Sequence, residues 1–537
     1  MDTSKRIIEI FDSTLRDGAQ GEGISYSVRD KLYIMKALDE FGVDYIEAGN
    51  PGSNPKDTEF FERARELSRS HAKLCAFGAT HRKNLSPADD PALGSLLSSG
   101  AECAAIFGKA HLLHSERVLG VSAAENLELV YSTVKYLKER MDEVIFDAEH
   151  FFDGCAYDPD HALAVVAAAF DGGADCVTLC DTNGGTLPSR IYALTREVSE
   201  RFPGKRIGIH THDDAGLAVA CAMSAVDAGA DMVQGTFTGI GERCGNCDLS
   251  VIIPNLTFKC GIHCGTGDAV KLASLMETSR RISDISNVVT RPTKPYTGKS
   301  AFAHKGGMHI DAMEKLEGAY EHVDPSLVGN ERRLLLSEVS GRSTVAELAS
   351  RVIPELKRSS PETKLITEKL KDMEHHGYQF EAADASFELL IKKLVRNYKP
   401  HFNVVLYKTT DDFPSTDGKL QASAMVQVEV GGLTETTASL GNGPVNALDM
   451  ALKRALTAFY PVLSEVTLTD FKVRVLESNS TTAAKVRVLI ESTDSRRVWT
   501  TVGVSEDIIE ASFMALVDAL EYKLSAVEND RGESELI

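Results

Sequence analysis

Three short segments, far apart in the chain, hold residue types that could together bind one metal ion: Arg16-Asp17-Gly18, His210-Thr211-His212 and Gly239-Ile240-Gly241-Glu242-Arg243-Cys244-Gly245-Asn246. Asp17, His210, His212 and Asn246 make a mixed nitrogen and oxygen donor set that needs no thiolate. That set suits a borderline or hard divalent cation that keeps positions open for a substrate, and such a cation acts as a Lewis acid. Singly, each piece has a plainer reading. An HxH on a strand is more often structural, and adjacent Arg and Asp residues usually form a local ion pair.

The elements that must bring these segments together are legible in the hydrophobic pattern. Short β-rich runs at Ile7–Phe11, Tyr45–Ala48, Leu74–Phe77, Ala104–Phe107, Val144–Asp147, Cys176–Leu179, Ile207–Ile209 and Met232–Gln234 alternate with amphipathic runs such as Val28–Phe41 and Pro159–Asp171. Eight βα units in about 260 residues predict a closed parallel (β/α)8 TIM barrel. In a closed barrel strands 1, 7 and 8 are neighbours, so the three segments meet at the C-terminal rim. Two competing signals are weaker. Cys244-x2-Cys247 with Cys260-x3-Cys264 has zinc-ribbon spacing, but precedes an apolar run and reads as buried thiols. Gly239-x-Gly241 is a weak dinucleotide signal, because the third glycine falls one residue late and no acidic residue caps a second strand.

The chain has 537 residues, 43% of them hydrophobic, and a formal charge of −20. That charge opposes phosphate backbones and anionic leaflets, so nucleic acid and membrane surfaces are poor partners and a small-molecule substrate fits better. No run approaches a membrane span or a signal-peptide core, and ten cysteines scattered through a long chain suit reduced thiols, which together predict a cytoplasmic protein.

The segment Asp12-Ser13-Thr14-Leu15-Arg16-Asp17-Gly18-Ala19-Gln20, with His210-Thr211-His212 and Gly241-Glu242-Arg243-Cys244-Gly245-Asn246, resembles the isopropylmalate, homocitrate and citramalate synthase family. The likeness is nearest to its longer citramalate synthases, through Pro51–Asp57 and Val328–Arg333. It implies an acyltransferase that condenses acetyl-CoA with pyruvate to (R)-citramalate and CoA, on the way to isoleucine. The divalent metal (Mg, Mn or Zn) would sit on Asp17, His210, His212 and Asn246. Arg16 would bind substrate and face developing negative charge, and Thr182 would bind the substrate carboxylate. Glu149, His309 and Tyr320 would serve acid/base chemistry, with His309 carried by the Ala301–Ala312 linker motif and supplied in trans within a homodimer. Plainer readings stay open: Glu149 could brace a neighbouring His, His150 could be the titrating group, and His309 could be a loop residue. Asp213 and Asn50 depart from the commoner family pattern and leave the keto acid in question. The alternatives are a sister synthase acting on a larger 2-keto acid, a reverse-direction acyl-CoA lyase, or a non-catalytic amino-acid sensor.

Beyond the barrel, expected over 1–270, the composition turns to charged helical stretches over 271–394 and then to a repeat over 395–525. At an offset of 64, Thr436, Thr437, Ala447, Met450, Ala451, Leu452, Ala455 and Leu456 recur as Thr500, Thr501, Ala511, Met514, Ala515, Leu516, Ala519 and Leu520. Each copy reads as strands followed by an amphipathic helix that cannot bury its apolar face alone, so the pair predicts an α+β domain. The first copy enters its helix through Gly441-Asn442-Gly443-Pro444, where free N–H groups could hold an effector carboxylate. The second enters through Ser505-Glu506-Asp507, an ordinary cap. A dimerisation module alone is the plainer reading. The resemblance implies a regulatory domain that binds isoleucine. Residues 526–537 read as a loose polar tail.

Overall fold

The eight strands predicted from the sequence form one closed parallel sheet in the computed structural model, which describes residues 6–305, 307–335, 342–357, 359–395, 398–412, 421–476, 484–494 and 497–531. They are β1 Ile7–Asp12, β2 Tyr45–Glu47, β3 Lys73–Ala79, β4 Cys103–Lys109, β5 Glu143–Glu149, β6 Cys176–Asp181, β7 Arg206–Thr211 and β8 Met232–Gly235. β8 pairs with β1 (Ile10 opposite Val233) and β1 with β2 (Phe11 opposite Tyr45), which closes the barrel. The outer ring is α1 Val28–Phe41, α2 Pro55–Ala64, α3 Pro91–Ser98, α4 Ala123–Lys138, α5 Pro159–Gly172, α6 Pro188–Arg201, α7 Ala218–Ala228 and α8 Leu249–Cys260. Local chemistry sets the ends of these helices. Ser27 and Asp30 form a capping box at the start of α1, and Gly42 ends it in the left-handed conformation.

Inside the barrel Phe11, Tyr45, Cys75, Cys103, Ile145 and Met232 form an apolar plug, so it is a packed core and not a pore. At its N-terminal end the buried Glu143 accepts from Lys73, Tyr45 and Arg206, a polar layer below the plug. The second apolar layer lies between strands and helices, where Phe41 and Phe237 meet edge to face at 5.0 Å.

The chain divides into two units. The first comprises residues 1–302 and 321–332, and so runs past residue 270. After β9 (His263–Cys264), which adds to β1, α9 (Leu275–Ile285) buries Leu275 and Ile282 in the barrel's outer core.

The second unit comprises residues 303–320 and 333–537. It contains the paired β10 Ala303–His304 and β11 Arg333–Leu334, and the helices α10 Gly307–Lys315, α11 Arg342–Val352, α12 Pro361–His375 and α13 Asp384–Val395. Gly306 of the linker motif lies outside the described residues. Two antiparallel three-stranded sheets follow, each closed by a helix. They are β12 Asn403–Asp412, β13 Gln421–Val430 and β14 Leu433–Gly441 with α14 Pro444–Thr457, then β15 Thr467–Val475, β16 Val486–Thr493 and β17 Val498–Ser505 with α15 Ile508–Arg531. The repeat holds down to irregularities: the first strand of each copy slips register at the same place, Val404/Leu406 and Leu468/Asp470. Ala447, Ala451 and Leu452 share one core with Ala511, Ala515 and Leu516. α15 continues to Arg531, so residues 526–531, expected to be loose, extend the helix. Residues 532–537 lie outside the described residues.

Candidate metal centre and active site

Asp17 follows β1, His210 lies in β7, His212 follows it two residues on, and Asn246 lies in the loop after β8. A spacing of two puts both imidazoles on the same side of an extended chain. The loop is clamped onto the HxH segment, because His212 and Asn246 form an antiparallel bridge and the Asp213 N–H donates to Gly245 O at 2.9 Å. Its glycines are required by close approach. A Cβ on Gly241 would lie 1.9 Å from Asn246 Oδ1, and one on Gly245, whose φ is +94°, would lie 2.0 Å from Gly239 O.

Asp17 Oδ2 lies 3.5 Å from His210 Nε2 and 3.7 Å from His212 Nε2, and the two Nε2 atoms are 3.2 Å apart. Asn246 Nδ2 reaches Asp17 Oδ2 at 3.0 Å. The four residues are only 2–6% exposed. Among the described residues, this Asp17, His210 and His212 group is where carboxylate and imidazole donors converge closely enough to hold a metal ion. Burial, and for His210 also the neighbouring His212, push both imidazoles below the ordinary histidine range. Burial acts to raise the Asp17 carboxyl, but the Arg16 guanidinium outweighs it and holds it low. The site therefore presents a carboxylate and two neutral imidazoles, the protonation states that metal ligation needs. Asn246 Oδ1 is buried with no hydrogen-bond partner among the described residues, an orphan acceptor that a cation would satisfy after a turn of the amide. The donor set fits a divalent metal.

Arg16 leans over this group. Its Nε donates to Glu47 Oε2 at 2.7 Å, its Nη1 lies 3.4 Å from Asp17 Oδ2, and its guanidinium sits 4.0 Å above the Phe77 ring. Glu47 is fully buried and also accepts from the Ser13 hydroxyl.

Glu149 ends β5 and pairs with Lys109 on the adjoining strand end. Thr182 follows β6. Its hydroxyl oxygen accepts the His150 N–H at 2.9 Å, and its carbonyl accepts Arg243 Nη2 at 2.8 Å. Arg243 also grips Asp214 with two hydrogen bonds, at 2.8 and 3.0 Å, which ties the loop after β8 to the ends of β6 and β7. His150 adopts φ 59° and packs edge-on against His114.

His309 and Tyr320 belong to the second unit, where their rings stack at 3.9 Å on an exposed surface. Gly441, Asn442 and Gly443 also lie in that unit. A Cβ on Gly441 would lie 2.4 Å from Ala447 N, so this glycine is explained by close packing at the start of α14. Gly443 gives α14 no side-chain cap, whereas Asp507 Oδ1 accepts two N–H groups at the start of α15. The four cysteines of zinc-ribbon spacing are only half buried, against the reading of buried thiols: Cys247 and Cys264 are buried, Cys244 and Cys260 are exposed, and none of the ten cysteines forms a disulfide.

Sequence reasoning missed Glu47, Asp147 and Gln234, three buried polar residues on the inner face of β2, β5 and β8. The signal available was a polar residue near the C-terminal end of an apolar barrel strand. Asp213, by contrast, is occupied structurally, since its Oδ1 accepts the Ala218 N–H at the start of α7.

A family profile described as HMGL-like matches residues 7–282, one described as homocitrate synthase post-HMGL domain-like matches 296–378, and one described as LeuA allosteric (dimerisation) domain matches 381–524. An (R)-citramalate synthase of Aquifex aeolicus is 48% identical over 97% of this chain and 99% of its own length. The chain belongs to the citramalate synthase family. Another member, from Geobacter sulfurreducens, is 46% identical over 98% of this chain and 99% of its own. A probable 2-isopropylmalate synthase of Methanopyrus kandleri is more distant, at 31% over 95% and 97%. Among the described residues no helix is long and apolar enough to cross a membrane.

Proposed function

We propose that this enzyme condenses acetyl-CoA with pyruvate to give (R)-citramalate and CoA, in the cytoplasm, as a homodimer restrained by isoleucine. Asp17, His210, His212 and Asn246 would hold a divalent metal, whose chemistry is to polarise the keto carbonyl. Arg16, held by Glu47 and Phe77, presents positive charge beside that position, where oxyanion character develops. The Thr182 oxygen already accepts from the His150 N–H, which leaves its O–H to donate to the substrate carboxylate. Removing a proton beside the thioester falls to Glu149 or to His309 with Tyr320.

The observation that carries this reading is the buried Asp17, His210 and His212 group in a chain 48% identical, over nearly its whole length, to an (R)-citramalate synthase. The test is thiol release from acetyl-CoA with a panel of 2-keto acids. Pyruvate should give the highest kcat/KM, and a higher value with 2-oxoisovalerate would replace the citramalate reading by the isopropylmalate one.

A further inference from the structure

We propose that Gln234 is a positioning residue that fixes His210 in one tautomer, with its Nε2 lone pair turned toward Asp17 and His212. The proposal rests on the reading that these residues hold a divalent metal. Gln234 lies in β8 directly opposite His210 in β7 and is 1% exposed. Its Nε2 lies 2.9 Å from Asp147 Oδ1 and 3.0 Å from Thr178 Oγ1, and its Oε1 lies 3.1 Å from His210 Nδ1.

These three distances determine the proton positions. An ionised carboxylate only accepts, so the amide group facing Asp147 is the NH2, and turning the amide over would set two acceptors against each other. The amide oxygen is thereby left for His210. A carbonyl oxygen only accepts, so His210 Nδ1 must carry hydrogen. A neutral imidazole protonated at Nδ1 has its lone pair on Nε2, the atom that faces Asp17, His212 and Asn246. His212 is different, because its Nδ1 is buried with no hydrogen-bond partner among the described residues. One of the two imidazoles is therefore locked and the other is not. Burial, followed by the neighbouring Glu47, pushes the Asp147 carboxyl upward, and a protonated Asp147 would carry an O–H able to donate to a turned amide. The relay from Asp147 through Gln234 to His210 thus holds its sense while Asp147 is an acceptor only.

Two readouts test this in the full-length chain: the tautomer of His210 from the [15N]histidine spectrum of the metal-free protein, and the Kd for Mn2+ by calorimetry. In the wild type His210 should be protonated at Nδ1. Gln234→Leu should give a mixture of tautomers and weaken Mn2+ binding by about 10–100-fold, the usual effect of losing a group that orients a metal-ligating histidine. Asp147→Asn adds a donor beside the accepting oxygen, lets the Gln234 amide take either sense, and should also give a mixture of tautomers. Asp147→Leu frees the amide to turn and should reproduce the loss without touching the histidine contact, which covers the case in which Gln234→Leu does not fold. A folded Gln234→Leu chain with the wild-type tautomer and Kd would overturn the proposal. A wild-type chain that takes up no Mn2+ would instead overturn the metal reading, and the metal-free spectrum would still judge the role of Gln234.

Discussion

The guanidinium of Arg16 is held at both ends: Nε donates to the buried Glu47 at 2.7 Å while Nη1 lies 3.4 Å from Asp17. The planar fork can span both carboxylates because its donors are fixed in one plane, and the Phe77 ring supports that plane at 4.0 Å. Lysine is a point charge and cannot do so. Arg16→Lys should therefore fold normally yet lower kcat/KM about 10²-fold, on the scale of losing one preorganised oxyanion donor. Turnover near wild type in a folded Arg16→Lys protein would mean that the fork has no role in the reaction.

Glu47 serves the same contact from the other side. Removing one partner of a buried, hydrogen-bonded pair leaves the other charge uncompensated, at a cost of about 3–5 kcal/mol. Glu47→Leu should accordingly show its main defect in thermal or denaturant unfolding. An unchanged melting temperature would show that Asp17 alone suffices to balance Arg16.

Asp17 and His212 face the cation position and not the apolar core. Asp17→Ala or His212→Ala should abolish turnover while circular dichroism and the melting temperature stay close to wild type. A folded His212→Ala enzyme with near-normal activity would contradict the site assignment.

Much of this was readable from the chain because barrel geometry converts sequence position into spatial position. Once strands 1, 7 and 8 are adjacent, Asp17, His210 and Asn246 have to meet. Glu47, Asp147 and Gln234 were not readable in the same way, since a single polar residue in an apolar strand does not show which neighbour it serves until the register places Gln234 opposite His210. The first unit outran its expected boundary because α9 reads as a charged surface helix, although one face of it buries Leu275 and Ile282. The polar run after Ser525 was no helix stop. Neither glycine nor proline occurs there before Gly532, and α15 runs to Arg531.

A pH prediction comes from His401 in the second unit. Its Nδ1 lies 3.0 Å from Glu521 Oε1, its Nε2 lies 3.3 Å from Glu528, Tyr398 donates to Glu521 at 2.6 Å, and Tyr460 donates to the His401 carbonyl. Burial opposes charge on His401, but Glu521 and then Glu528 outweigh it and raise the imidazole above its ordinary 6.5. Burial likewise opposes charge on Glu521, yet hydrogen bonds from His401 and Tyr398 hold it below its ordinary 4.5. The His401 contribution is therefore full below pH 6.5 and fades as pH rises through the raised value. The Glu521 contribution is full above pH 4.5 and fades as pH falls through the lowered one. The second unit should melt highest in the mildly acidic window between them, and His401→Gln should remove the decline on the alkaline side. Parallel melting profiles for wild type and His401→Gln would refute the assignment.

The start of α14 offers a test of regulation that leaves the fold intact. Removing everything after residue 395 is a poor test, because α11–α13 share an apolar core with Val502 and lean on Leu489 and Val504. Gly443 is better placed. Its backbone is extended at φ −176°, and an added Cβ there would meet nothing within 4 Å. Gly443→Ala should therefore fold and turn over like the wild type. If the effector carboxylate sits on the uncapped N–H groups of α14, the added methyl occupies its place, and a coupling of about 1–3 kcal/mol between the two sites makes that loss readable. Isoleucine inhibition should then need several-fold more isoleucine. Gly441→Ala is the contrasting variant. Its methyl would strike the Ala447 backbone, so it should lower stability by about 1–3 kcal/mol whatever binds nearby. Inhibition by isoleucine that is unchanged in Gly443→Ala would remove the effector from this helix start and leave the repeat as a dimerisation module.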